Sequence, residues 1–251
     1  MRKFSISAII VLLMVGSTQN MWAKDSFKFP SRISFKLFKN GSFVGECQLL
    51  YREKTDKKGI SSLKLTNFQA LGITSRESLI TYIFSENFSI YADFVKKGEK
   101  VVSEFRLKEE EGFDGTEGQV FIHKELTKDD EIKTEISTQY PVLDLLSTFL
   151  ITSKRVASGK LKKKKKEPFN LLFGRSTKIV DMVYIGTEIE PYQGEKVDTE
   201  VVAITIRSVE MFRLKILKDK DGYCFPVSIT LSDFTDNKEG TLEMRTARVA
   251  K

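Results

Sequence analysis

His123 is the only histidine of the chain, so no Ser-His or Cys-His pair and no multi-histidine zinc site can be assembled from it. It alternates with Phe121 in an apolar run, and such a position suits a strand histidine better than a catalytic one. Cys47 and Cys224 are the two cysteines; they form no Cys-x-x-Cys, so redox catalysis is not implied. Glu109, Glu110, Glu111, Asp114 and Glu117 offer oxygen ligands in a turn that holds Gly112, Gly115 and Gly118. Their spacing lacks the regular alternation and terminal bidentate Glu of a calcium loop, which leaves a solvated turn. Asp144 and Ser147 are one helical turn apart and face either an interior cavity or solvent. Lys160 and Lys162, Lys163, Lys164, Lys165 and Lys166 crowd amines that cannot all be paired locally. They read as an exposed, mobile loop near 160–168. Its two outlets are an anionic membrane surface or an acidic envelope partner, and Lys162 to Lys166 are the contact residues expected for either. No catalytic residue, metal or cofactor is expected, and the chain reads as a non-enzyme.

The elements that hold these residues are mostly strands, because apolar residues recur with a period of two along most of the chain. Ile33, Phe35 and Leu37 alternate with polar neighbours; Asn40-Gly41 has the chemistry of a tight hairpin turn; Phe43, Gly45, Cys47, Leu49 and Tyr51 share a face on the return. Further runs follow at 60–68, 78–84, 88–95, 101–108, 119–124 and 131–137, and again at 169–173, 178–188, 197–208, 211–217, 225–232 and 240–249.

One segment breaks the period. From Pro141 to Ser153 the apolar residues Val142, Leu145, Leu146, Phe149 and Leu150 fall at helical spacing, with Pro141 as a first-turn residue. A lone amphipathic helix near 141–153 needs an apolar surface to lie on. The fold expected is therefore mainly β: a strongly curved antiparallel sheet, an open or half-closed barrel, wrapped round one helix. Val142, Leu145, Leu146, Phe149 and Leu150, with Asp144 and Ser147, are then the candidates for lining a ligand cavity.

The N-terminus sets the compartment. Arg2 and Lys3 precede one apolar run, Ala8 to Val15, which is shorter than the roughly 20 residues of a membrane-spanning helix. Polar residues follow, and cleavage falls near Ala23. Residues 1–23 are thus expected to be a signal peptide and 24–251 one β-rich domain in the periplasm, with no cysteine after the apolar run to carry a lipid. Loss of Arg2 and Lys3 lowers the formal charge from +7 by two, to about +5. With basic and acidic residues interspersed and no aromatic-lined basic face, nucleic acid is not an expected partner. Export leaves two outcomes for the cysteines, a disulfide joining the ends of the domain or two separate buried thiols. Strand parity sets Cys224 away from Phe225, Val227 and Ile229, whereas Cys47 lies with Leu49.

Three short motifs carry a resemblance: Gly41-x-x-x-Gly45-Glu46 in the hairpin, Pro141-Val-Leu-Asp-Leu-Leu-Ser-Thr-Phe149, and Tyr223-Cys-Phe-Pro-Val-Ser-Ile229 followed by Gly240-Thr-Leu. Together they resemble the exported bacterial domain of unknown function 3108 family, which is similar in fold to periplasmic lipoprotein carriers whose open barrel holds acyl chains under a helical lid. Where that family implies an arginine soon after the helix, this chain has Lys154-Arg155 and then the lysine tract. The resemblance implies a non-enzymatic carrier or binding protein for an apolar ligand, a lipid or acyl chain, in the cell envelope. The alternative is an envelope interaction or scaffold protein with a filled core and no small-molecule ligand.

Overall fold

A computed structural model describes residues 27–53, 60–66, 77–84, 90–97, 100–108, 119–126, 131–138, 142–173, 176–232 and 241–251. The expected signal peptide, Pro141 and the acidic turn at 109–118 lie outside the described residues.

The first half is a meander of hairpins, β1 (Arg32–Lys39), β2 (Ser42–Arg52), β3 (Ile60–Thr66), β4 (Glu77–Phe84), β5 (Ile90–Lys97), β6 (Lys100–Leu107), β7 (Gln119–Leu126) and β8 (Glu131–Thr138). A two-residue strand β9 (Val142–Leu143) leads into the helix α1 (Leu145–Ala157). The second half is β10 (Lys166–Phe173), β11 (Ser176–Tyr192), β12 (Glu195–Ile206), β13 (Val209–Lys218), β14 (Cys224–Ser232) and β15 (Thr241–Ala250). Among the described residues all fifteen strands form one sheet, in the order β8 to β1, then β15 down to β9. Every pairing is antiparallel except β9 with β10. Pairing of β1 with β15 joins the two halves of the chain.

α1 shows how strongly this sheet curls. It packs against β13 and β14 and also against β3 and β4, strands separated in the sheet by β2, β1 and β15. A flat sheet offers one helix only neighbouring strands, so the two walls face each other across α1. The main core is continuous through the helix: Phe35, Leu49 and Leu65 from one wall, Phe212, Phe225 and Ile229 from the other, Leu146, Phe149 and Leu150 between. The fold is a half-closed barrel wrapped round one helix, as the alternation predicts. A second cluster spans the ends of the sheet. Ile90, Phe105, Leu107 and Phe121 meet Val142, with Ile136 of β8 and Leu172 of β10 packed against them.

The helix starts four residues later than its apolar spacing suggests. Val142 and Leu143 pair with Asn170 and Leu171 of β10 instead, and Asp144 caps the helix with an extended backbone (φ −101°, ψ −173°). Asp144 and Ser147 form a reciprocal capping box: Ser147 N–H donates to Asp144 Oδ1 at 2.7 Å, and Asp144 N–H donates to Ser147 Oγ at 2.8 Å. Gly159, at φ 63°, ends the helix in the left-handed conformation that glycine adopts without steric cost.

The β1–β2 turn forms at Asn40 (φ 50°) and Gly41 (φ 80°), as its residues dictate. Phe43, however, is 57% exposed and does not share the buried face with Cys47 and Leu49. A bulge between Leu37 and Phe38 sets Gly45 opposite Leu37 but Phe43 opposite Phe38. One residue of slip reverses the face, and Phe43 instead packs edge-on against Phe38 at 5.9 Å.

Candidate functional site

The polar group of greatest chemical interest lies where the helix cap meets the first wall of the barrel. Thr81 on β4 and Asp93 on β5 are cross-strand partners, and Asp144 reaches them from the end of β9. Thr81 and Ser147 are fully buried and Asp144 is 3% exposed. The Thr81 hydroxyl lies within hydrogen-bond distance of Asp144 Oδ2 and 3.5 Å from Asp93 Oδ1. A hydroxyl has one hydrogen to donate, so two ionised carboxylates cannot both be satisfied by it. Thr81 donates to Asp144, the nearer carboxyl, and a proton on Asp93 would let both contacts be satisfied.

Helix geometry decides which carboxyl holds the proton. Asp144 sits at the positive end of the helix dipole and accepts from the Ser147 backbone N–H, both of which favour its anion. Burial raises the pKa of Asp144 above the ordinary carboxylate range, opposed by the bonds from Ser147, Thr81 and the Leu146 backbone. Asp93 is held well above that range, by burial first and then by the charge of Asp144, against weaker support from the Phe94 backbone and Thr81. Of the two, Asp93 holds its proton the more strongly.

Of the residues expected to line a cavity, Leu146, Phe149 and Leu150 are in the main core with Leu145 half-buried against it, and Val142 belongs to the second cluster. Asp144 and Ser147 face the interior, not solvent. Three more of the helix's polar residues, Thr148, Thr152 and Ser153, are buried too: Thr148 and Thr152 hydroxyls donate to the carbonyls of Asp144 and Thr148, each at 2.6 Å. Ser153 Oγ has no partner. Thr81 and Asp93 escaped the sequence reading, although a signal existed. Each is a polar residue within an otherwise apolar strand, at a position whose neighbours Tyr82 and Phe94 pack edge-on on the opposite face.

The cysteines are free and both buried, so no disulfide forms. Cys47 is on β2 and Cys224 on β14, with β1 and β15 between them. Three strand-to-strand steps of about 4.8 Å separate their backbones by more than the roughly 7 Å a disulfide tolerates. Burial pushes each thiol up to about 12.

The lysine tract is exposed from Lys162 to Lys166, but it is a shaped turn and not a free loop. Lys165 N–H donates to Lys162 O at 3.0 Å and Lys164 N–H to Tyr184 O at 3.3 Å. Lys166, Glu167 and Pro168, expected in the loop, begin β10. His123 holds a register position on β7 opposite Phe105 and Thr134.

Fold and site together define a class: a half-closed β-barrel plugged by a single helix, with two carboxyls of raised pKa, Asp93 and Asp144, at the helix cap. No protein-family model matches the chain, and no curated protein does. Among solved structures it is similar to a beta-barrel-like protein of domain of unknown function DUF1849 from Brucella abortus, at 11% identity and a TM-score of 0.44, covering 89% of this chain and 98% of that one. That similarity is to a different domain from the 3108 family suggested by the short motifs.

Proposed function

We propose that this chain is a non-enzymatic, extracytoplasmic binding protein that carries an apolar ligand, a lipid or acyl chain, inside its half-closed barrel. The observation behind this reading is the second apolar cluster. Phe105 and Phe121 stack at 4.5 Å on β6 and β7, beyond the strands on which α1 chiefly packs. Val142 and Leu172 cover them from the opposite end of the sheet. β8 and β9 are the two edges of that sheet and are not paired with each other. Parting these edges would open an apolar wall without breaking a backbone ladder, and such walls are what ligand pockets are made of. The apolar residues of the helix would border that space. The signal-peptide pattern of residues 1–23 supports a periplasmic carrier, and the motifs resembling the 3108 family fit the same role.

Native mass spectrometry of protein purified from its own host, followed by solvent extraction, tests the proposal. One lipid per chain is expected. Repeated absence of bound lipid overturns it in favour of a filled-core envelope interaction protein, a reading favoured by burial of α1 on opposite faces, at Leu150 and at Thr152.

A further inference from the structure

Five lysines of the tract are unused by the fold. Lys166 pairs with Asp181 at 3.6 Å and Arg155 with Glu167 at 3.5 Å, which engages the nearby carboxylates. The ammonium groups of Lys160, Lys162, Lys163, Lys164 and Lys165 make no ion pair or hydrogen bond among the described residues. Yet the turn is held in shape. Leu161 packs into the main core beneath it, the Lys164 backbone is tied to Tyr184, and Lys164 itself adopts φ 64°, a left-handed conformation that suits glycine or asparagine better than lysine. Like-charge crowding and a left-handed lysine both work against folding, and backbone hydrogen bonds and the packing of Leu161 hold the turn against them.

An apolar side chain stands among these charges. β11 bulges between Tyr184 and Gly186, so Ile185 drops out of the ladder and is 38% exposed. The Lys164 amide is bonded to the residue before it. Lys163 Nζ lies 3.9 Å from where a Cβ on Gly186, the residue after it, would be. Ile185 is therefore flanked on both sides by the tract.

We infer that Lys160, Lys162, Lys163, Lys164 and Lys165, with Ile185 at their centre, form a docking face for an anionic lipid bilayer. Lysines reach headgroup phosphates while a neighbouring apolar side chain enters the acyl boundary, the two components of interfacial attachment. Nucleic acid would call for aromatic stacking surfaces, and no aromatic ring lies within the tract. The inference does not depend on the barrel holding a ligand, and its test reads membrane attachment alone.

The test is co-sedimentation of the folded chain with vesicles of three parts phosphatidylcholine to one part phosphatidylglycerol, against pure phosphatidylcholine, at about 0.1 M salt. Binding to the mixed vesicles alone is expected, and it should disappear at about 1 M salt. Each Lys→Gln substitution in the tract should lower the partition coefficient about fivefold, and the variant with all five replaced should not sediment. Ile185→Ser should weaken binding severalfold with no change in its salt dependence. A control that replaces the exposed Lys36, Lys64, Lys133, Lys196 and Lys220 by Gln alters net charge equally and should keep most binding. Unchanged circular dichroism certifies each variant as folded. Three results overturn the inference: no binding to the mixed vesicles, equal binding to both vesicle types, or a loss in the control as large as in the tract variant.

Discussion

Thr81 donates its single hydroxyl hydrogen to Asp144, and through that bond β4 grips the first residue of the helix cap. Asp93, 3.5 Å from the same hydroxyl, gains little from it and is held well above the ordinary carboxylate range by burial first and by the charge of Asp144 next. This has a definite consequence for pH. Asp93 is protonated in the folded chain at pH values where the unfolded chain, with its carboxyl near 3.9, is ionised. The folded state binds more protons, so this group's contribution to stability is greatest in acid and falls as pH rises from about 4 through its folded pKa. The opposed charges to name are few: Asp144 is the one ionisable group acting on Asp93 among the described residues. Asp93→Asn supplies a permanent donor to Thr81. Its urea midpoint should match or exceed that of the natural chain at pH 7 and lose most of the downward slope; an unchanged slope would show that the proton is elsewhere.

Thr81→Val tests the hydroxyl itself. The side chains have nearly the same shape, so packing in this fully buried site is kept, while Asp144 Oδ2 loses its donor and Asp93 its acceptor. Leaving a buried acceptor unsatisfied costs about 1–3 kcal/mol, more when it is charged. Urea unfolding should show a loss of at least that size, larger than for Thr81→Ser, which keeps the hydroxyl.

The buried cysteines should be inert. With each thiol near 12, on the order of one in ten thousand is thiolate at pH 8, and neither side chain reaches solvent. Ellman's reagent should find no thiol in the native chain and two in guanidinium, and reduction should leave electrophoretic mobility unchanged. One thiol fewer than two after denaturation would contradict the free pair.

Comparison of these residues with the sequence explains what could be read and what could not. A period of two depends on neighbours along the chain, so the strand expected at 101–108 is found as Lys100–Leu107 and that at 131–137 as Glu131–Thr138. The helix needed only its apolar stripe, but its start did not follow, because Val142 and Leu143 satisfy either period. Their assignment to β9 is decided by β10, more than twenty residues away. The same holds for the site. Asp144 and Ser147 were legible as polar residues one helical turn apart, though not as a cap, whereas Thr81 and Asp93 matter only through the helix that closes over them. Strand parity failed to predict the outward Phe43 and did not settle the cysteines, since bulges and wall curvature are set by contacts between strands.

Gly45 makes the cost of one such bulge measurable. It adopts φ 152°, a region open essentially to glycine alone, and nothing lies within 4 Å of where a Cβ would stand. Gly45→Ala meets no steric obstacle, so any loss is backbone strain of about 1–3 kcal/mol. If the chain escapes the strain by removing the bulge, Phe43 turns inward toward Cys47 and Leu49, and the Phe38–Phe43 contact is lost. A fall in the urea midpoint with the Phe43 ring still reached by a soluble paramagnetic relaxation agent identifies strain. A fall accompanied by new protection at Phe43 identifies a register slip, and no fall at all would mean that the bulge is not held by Gly45.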